Sequence, residues 1–366
     1  MAGIESLLRE LEGLEEYLKV KPLYFDLDTG EFVWLDTRLL PFEEVYRRTR
    51  DYRRVAEAIR EMEIRGAPAI GVSAAFAMAL AARESRARSV EDLVRDLEEA
   101  RSLLASTRPT AFNLFWALDR VMERIQSTAS TGDPGLVREA VLEEAFRIYV
   151  EDVRGNVEMG RIGSKLIEDG DTVLTHCNTG ALATAGFGTA LGVIRYAWYE
   201  GKSIKVITTE TRPVLQGARL NVWELKKEGI PFKLIVDGAV GLVFRRGMAD
   251  KAIVGADRII LTGHTANKIG TYQVALAAWH NGKPFYVAAP TSTIQPVEDP
   301  GSIVIEERSP DEVRKVMGKY PITLGDVDVY NPSFDVTPPE LVTAFITERG
   351  IVEKPFKENL ARLLQG

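Results

Sequence analysis

Among 366 residues there is one cysteine, Cys177, and there are three histidines, His176, His264 and His280. A lone cysteine cannot close an internal disulfide or build a thiolate zinc site. Three histidines are too few for a histidine-rich metal centre, so neither a metal nor a cofactor is expected. The chain also lacks a basic excess: its formal net charge is −7. A broad nucleic-acid surface needs a basic face, so no nucleic-acid partner is expected, although a small basic pocket for one phosphate remains compatible. Long apolar runs are missing too. The longest, Ile70 to Ala82, is too short to span a bilayer. The opening "MAGIESLLRELEGLEEYLKV" has no positive segment followed by an apolar core, unlike a signal peptide. A cytoplasmic chain with no membrane partner is expected. Asn and Gln are scarce beside Glu, Arg and Lys, which resembles the composition of heat-adapted proteins.

What is present is enough for a sizeable core: 45% of residues are hydrophobic and 27% charged. The length suggests two domains, because single cores stop growing near ~250–300 residues. The first part reads as mostly helical. Residues 4–18 form an amphipathic pattern. "PLYFDLDTGEFVWLDTRLLP" reads as a hairpin turning at Asp28-Thr29-Gly30. Four helical stretches follow: "PFEEVYRRTRDYRRVAEAIREMEI", the nearly all-apolar "APAIGVSAAFAMALAARES", "SVEDLVRDLEEARSLLAS" capped by Ser89, and "AFNLFWALDRVMERIQS". A long helix is expected from Leu136 to about Glu168. From residue 170 short β-branched runs ("TVLTH", "SIKVITTE", "FKLIVDG", "KAIVGADRIIL", "PFYVAAP", "SIVIEE") alternate with helical or turn segments. Such alternation indicates an α/β fold whose parallel sheet has helices on both faces. The expected domains are 1–148, smaller and mostly helical with a short β-hairpin or sheet, and 149–366, carrying the parallel sheet.

In sheets of this kind ligands sit beyond the carboxyl ends of the strands, near a switch in strand order. Unusual residues fall there: His176 and Cys177 after the first strand, Glu210, Thr211 and Arg212 after the second, Asp237 and Gly238 after the third, and Asp257 in the fourth. A free cysteine is commonly a small buried hydrophobe. The glycines that follow Cys177 (180, 186, 188 and 192) would instead let backbone approach a ligand, and the next helix start would attract phosphate. "GFGTALG" is not the dinucleotide fingerprint, which disfavours a nicotinamide-dependent dehydrogenase. His176 reads as a hydrogen-bonding neighbour; His264 and His280 read as structural. Asp257 lies among Gly255, Ala256 and Ile259, where a carboxyl group can hold its proton near neutrality; pairing with Arg258 or capping a turn are the alternatives. "IRGAPAIG" and "TRPTAFN" each set an arginine, Arg65 or Arg108, ahead of a helix start containing proline. "HTANKIGTY" offers Asn267 and Lys268 before another. Cations at helix starts suit a phosphate; surface charges beside capped helices would look the same.

Together "RGAPAIG", "RPTAFNLFWAL", "LTHCNTGALATAGFGTALGVIR", "TTETRPVLQGARL", "VGADRI", "ANKIGTYQVALAA" and "YNPSFDVTPPELV" resemble the methylthioribose-1-phosphate isomerase family. That family is part of a larger one that includes the regulatory subunits of translation initiation factor 2B. The resemblance runs from about residue 24 to about residue 355. It implies a Rossmann-like C-terminal domain, a homodimer, and an aldose–ketose isomerase acting on a sugar 1-phosphate in methionine salvage, without a cofactor. It further implies Cys177 and Asp257 as the catalytic pair, and Arg65, Gly66, Ala67, Arg108, Gln216, Asn267 and Lys268 as substrate-binding residues. Two departures stand near the site: "TGH" at 262–264 where the family often has "NGD", and Val240 where alanine is usual. A related isomerase for ribose 1,5-bisphosphate or 5-deoxyribose 1-phosphate, and a non-enzymatic regulatory subunit, are the competing readings.

Overall fold

The computed structural model describes residues 2–109 and 111–365. The chain divides into two compact units, residues 1–155 with 181–187, and residues 156–180 with 188–366. The boundary expected between 148 and 149 lies inside a single long helix, α6 below.

The first unit contains α1 (Ala2–Glu12), β1 (Leu23–Asp26), β2 (Glu31–Leu35), β3 (Tyr46–Thr49), α2 (Tyr52–Arg60), α3 (Ala67–Glu84), α4 (Val90–Ala105), α5 (Phe112–Ala129) and most of α6 (Pro134–Gly163). β1 and β2 pair antiparallel as a hairpin, as expected. The stretch after Pro41, expected to be one helix, is not: Tyr46–Thr49 forms a third antiparallel strand on β2. Asp51 then starts α2 by accepting the Arg53 N–H at 2.8 Å, so the helix begins only at its cap. Ser89 caps α4 reciprocally: its Oγ accepts from the Asp92 N–H and donates to the Asp92 carboxylate. α3 is apolar nearly all round because residues 69–82 are all buried. Its Phe76 meets Phe25 at 5.3 Å and Phe146 at 5.2 Å. Such ring pairs add to the area they bury.

The second unit begins with the end of α6. It continues with β4 (Thr172–Thr175), α7 (Ala190–Tyr199), β5 (Lys205–Thr209), α8 (Val222–Glu228), β6 (Phe232–Ile235), α9 (Val240–Arg245), β7 (Lys251–Val254), β8 (Arg258–Ile260), β9 (Thr265–Lys268), α10 (Thr271–His280) and β10 (Phe285–Ala288). The remainder is β11 (Ile294–Gln295), α11 (Asp311–Arg314), β12 (Lys315–Val316), β13 (Tyr320–Pro321), β14 (Phe334–Thr337), β15 (Ala344–Thr347), β16 (Gly350–Val352) and α12 (Phe356–Gln365). Seven strands form one sheet in the order β16-β15-β10-β7-β4-β5-β6, parallel except for β16. Counted from β4, the parallel strands run 3-2-1-4-5-6, the doubly wound order whose switch point lies between the first and fourth strands. Here those strands are β4 and β7.

Apart from the exposed edge strand β6, both faces of this sheet are buried, and alternate residues divide between two apolar layers. Leu174, Ile207, Ala252, Val287 and Phe345 face one, with Val240, Phe244, Val274 and Phe356. Val173, Val206, Ile253, Ala288 and Ile346 face the other, with Val193, Ile194 and Leu225.

Two expectations fail here. "KAIVGADRIIL" is not one strand: after β7 the chain turns at Gly255–Asp257, and β8 joins a separate four-stranded sheet, β11-β8-β9-β14. "SIVIEE" forms no strand beyond a single bridge, Glu307 with Pro332. Ile303 and Ile305 still pack as an apolar face beside Ile260 and Ala266, but the segment pairs with no neighbouring strand beyond that bridge. Among the described residues no helix is long and apolar enough to cross a membrane.

Candidate active site

Cys177 leaves β4 and Asp257 leaves β7, the two neighbouring strands that flank the switch in strand order. The turns behind them meet, since a side chain at Gly255 would come 3.4 Å from Thr189 Oγ1 and 3.5 Å from Thr179 Cγ2. Both candidate residues are half-buried. Asp257 N–H donates to the Ala266 carbonyl. The guanidinium of Arg258 is directed to Ser302, donating to its carbonyl at 2.8 Å.

The backbone around Cys177 is unusual. Cys177 has φ +67° and Thr211, after β5, has φ +62°. Left-handed conformations cost L-residues roughly 1–2 kcal/mol, and a β-branched residue rarely adopts one. The two strained residues are joined: Cys177 N–H donates to Thr211 Oγ1 at 3.0 Å. Asp237, after β6, accepts the N–H groups of Thr211 at 2.8 Å and Arg212 at 2.7 Å. Arg212 itself donates to the Pro213 and Val313 carbonyls.

His176 is fully buried. Its Nδ1 lies 2.7 Å from Thr209 Oγ1 and its Nε2 2.9 Å from the Ile269 carbonyl. Burial lowers its pKa below the usual histidine value. It is the hydrogen-bonding neighbour that the sequence indicated. Its ring leaves no room for a side chain at residue 270: Gly270 has φ +101°, and a Cβ there would come 2.9 Å from His176 Cε1.

Gln216 is buried, and among the described residues its Oε1 has no hydrogen-bond partner. Leaving a buried acceptor unmatched costs roughly 1–3 kcal/mol, so this oxygen is suited to a ligand's hydroxyl. The chain just beyond it widens to a π-helical turn at Gly217–Asn221, a distortion common at functional sites. Asn267 and Lys268 end β9. Asn267 Nδ2 donates to Thr271 Oγ1 at 3.0 Å. Lys268 Nζ donates to the Ser333 carbonyl at 2.8 Å and lies 4.7 Å from the Phe334 ring centre. Next to them Asp335 of β14 caps α10, accepting from Gly270 N–H at 2.7 Å and Tyr272 N–H at 3.0 Å. Burial pushes its pKa up to about 6, against those two hydrogen bonds.

Beneath the Cys177 turn lies a buried ion-pair network. Arg195 of α7 contacts Glu224 at 2.8 Å and Glu228 at 2.9 Å, all three essentially inaccessible. Glu224 Oε1 also accepts from Asn178 Nδ2. A Cβ at Gly180 would fall on the Glu224 carboxylate, which explains the glycine.

The first unit holds the other candidates. Gly66 precedes α3 with φ +93°, and a Cβ there would fall on the Ala183 backbone, so only glycine fits. Arg65 stands before it and Ala67 opens the helix. Arg108 stands ahead of α5; Thr110 lies outside the described residues. The starts of α3 and α5 touch, since a Cβ at Gly71 would come 2.8 Å from the Asn113 carbonyl. Arg65 and Arg108 therefore precede adjacent helix N-termini, which favour anions.

Sequence reasoning missed Thr209, Asp335, Arg195 and Glu224. Three threonines in "VITTET" at the end of a buried strand were a usable signal. The buried pair carried none, because charges on α7 and α8 look like ordinary surface residues until the helices pack. Among the described residues no three His, Cys, Asp or Glu side chains are arranged to hold a metal ion.

Residues 63–354 match the initiation factor 2 subunit family. A protein of Aeropyrum pernix, assigned as a methylthioribose-1-phosphate isomerase, is 70% identical over 98% of both chains. The structure of 5-methylthioribose 1-phosphate isomerase from Pyrococcus horikoshii covers 96% of this chain and 98% of its own, at 41% identity and a TM-score of 0.88. A structure described as translation initiation factor eIF-2B subunit delta, from A. fulgidus, is similar at 43% identity and a TM-score of 0.84, covering 95% of this chain and all of its own.

Proposed function

The chain belongs to the initiation factor 2 subunit family, and we propose that it is an isomerase converting 5-methylthioribose 1-phosphate to 5-methylthioribulose 1-phosphate, a step of methionine salvage. The observation that carries this reading is the position of a lone cysteine and an aspartate at the exits of the two strands flanking the switch point. A regulatory subunit that only binds has no use for a thiol in a strained backbone there. Strain of this kind persists where the surrounding structure over-determines it, characteristically at active sites.

The chemistry follows from the substrate. Its phosphate esterifies the anomeric oxygen, so the ring cannot open by hemiacetal reversal. Asp257, protonated, gives its proton to the ring oxygen as the C1–O bond breaks. The Cys177 thiolate takes the C2 proton, leaving an enol phosphate, and then returns that proton to C1. The C2 hydroxyl gives its proton back to Asp257 as the ketone forms, so both groups end as they began. In the alternative route the C2 hydrogen moves to C1 as hydride and Asp257 alone cycles a proton. Deuterium appearing at C1 in D₂O identifies the first; full retention of the C2 hydrogen identifies the second. The residues that the resemblance assigns to the substrate are Arg65, Gly66, Ala67 and Arg108 in the first unit and Gln216, Asn267 and Lys268 in the second; cations of this kind suit a phosphate, and the two amides suit sugar hydroxyls. The reaction requires no metal or cofactor.

The same reading makes the protein a cytoplasmic homodimer. The edge strand β6 and the turn after it expose Phe232, Leu234 and Val236 on alternate positions, and α10 exposes Tyr272, Leu276 and Trp279 at helical spacing. Gln273 Nε2 donates to the Asp237 carbonyl and ties the two elements together. An uncovered apolar edge of this kind invites a second copy.

The test offers the purified chain 5-methylthioribose 1-phosphate, ribose 1,5-bisphosphate and 5-deoxyribose 1-phosphate side by side. The methylthio sugar is turned over with the highest kcat/KM. Absence of turnover on all three contradicts the reading.

A further inference from the structure

Cys177 N–H, Thr211, Thr209, His176 and the Ile269 carbonyl form one unbroken hydrogen-bonded line: 3.0 Å, 3.0 Å, 2.7 Å and 2.9 Å in turn. Its direction can be worked out from the two ends. A carbonyl oxygen only accepts, so His176 carries its proton on Nε2 and donates to Ile269. In a neutral ring Nδ1 must then accept, so Thr209 donates to it. Thr209 Oγ1 accepts in turn from Thr211, whose Oγ1 accepts from the Cys177 N–H. Each group is satisfied once in each role it takes, with no proton missing or left over. Full burial of the ring favours the neutral form that this pattern needs.

Both ends of the line are anchored. Asp237 fixes Thr211 by accepting its N–H. At the far end Gly270, the residue after Ile269, donates its N–H to Asp335 and packs without a side chain against the His176 ring. The line thus connects the ends of β4 and β5 to the turn between β9 and α10. At its head is the one cysteine of the chain, in a conformation its backbone does not favour.

We propose that Thr211, Thr209 and His176 are positioning residues that hold Cys177 in its left-handed conformation and so set the direction and reactivity of its thiol. The effect on catalysis rests on the role given to Cys177 above; the effect on the thiol does not. None of the three needs to touch substrate, and His176, with both nitrogens engaged within the protein, is not the catalytic base.

The experiment uses the full chain and two readouts. One is the rate of alkylation of the single thiol by iodoacetamide, followed by intact mass. The other is kcat and KM for 5-methylthioribose 1-phosphate. Thr211→Val keeps the volume and removes the hydroxyl; Thr211→Ser keeps the hydroxyl. The expected result for Thr211→Val is an alkylation rate changed at least fivefold and kcat reduced at least tenfold, with KM within twofold. Thr211→Ser restores both rates to within twofold. Wild-type alkylation and wild-type kcat in Thr211→Val overturn the proposal. A changed alkylation rate with unchanged kcat upholds the relay and instead removes Cys177 from the chemistry. If Thr211→Val does not fold, ¹⁵N-histidine NMR of the unmodified chain decides. One of the three imidazoles shows the neutral Nε2–H tautomer with a hydrogen bond accepted at Nδ1; an Nδ1–H tautomer or an imidazolium at His176 overturns the relay.

Discussion

The two units bend their backbones at the candidate residues by opposite means. In the first, the left-handed position is a glycine: Gly66 takes φ +93° at no steric cost, and the Ala183 backbone fills the space a side chain would need. In the second, the left-handed positions after β4 and β5 are Cys177 and Thr211, side chains that the conformation disfavours. Asp237 and the hydroxyl line through Thr209 to His176 hold them there. A glycine at 177 would relax the backbone and lose the thiol. The contrast separates a turn built for close approach from one where a reactive side chain must stand in a set place.

Alanine at Gly66 is the harshest test of this contrast. Gly66→Ala combines a disfavoured φ with overlap on the Ala183 backbone, and should lose roughly 2–4 kcal/mol of stability. Chemical denaturation measures it; a loss below about 0.5 kcal/mol means that the turn is not constrained as described. The opposite exchange sharpens the point. Glycine ordinarily destabilises a chain relative to alanine, but Cys177→Gly should be more stable than Cys177→Ala, by about 1 kcal/mol, because it releases the left-handed strain. Cys177→Ala proving the more stable of the two would remove strain from the account.

A smaller effect concerns pH. Asp335 has its folded pKa raised by burial to about 6 from an ordinary 3.8. The folded state therefore takes up a proton on acidification before the unfolded state does. Its stabilising contribution is complete below the unfolded value and is lost as pH rises through about 6. Between pH 7 and pH 5 the wild type should gain about 1 kcal/mol relative to Asp335→Asn. His176 acts in the opposite sense, being lowered by burial, and weakens the fold as pH falls below its unfolded value. Both proteins contain it, so it cancels in the comparison. A difference that does not change with pH would contradict the burial of Asp335.

The same contrast explains what the sequence revealed. Glycine and proline mark their own conformations, so the start of α3 at "RGAP" was legible from local chemistry alone, and the apolar run of 69–82 announced its burial. The parallel sheet was legible because its strands, buried on both faces, read as short β-branched runs. A left-handed cysteine or threonine leaves no such mark. Nor did "VGADRI" show that the chain changes sheets at Asp257, because a turn between two short apolar runs looks like one longer strand. β3 was hidden in a helical pattern for a similar reason: its residues are mostly exposed and pair only along an edge. Cys177 and Asp257 were picked out by position and resemblance. The groups that hold the Cys177 turn in place come from five separate segments, and only folding brings them together.

The most direct measurement is ¹³C NMR of 5-methylthioribose 1-phosphate labelled at C2, incubated with the wild type, with Cys177→Ser and with Asp257→Asn. The label should move to a ketone resonance with the wild type. Neither variant should convert it at more than about a thousandth of that rate, while both keep the wild-type melting temperature to within a few degrees. Conversion by folded Cys177→Ser or Asp257→Asn at the wild-type rate would contradict the account.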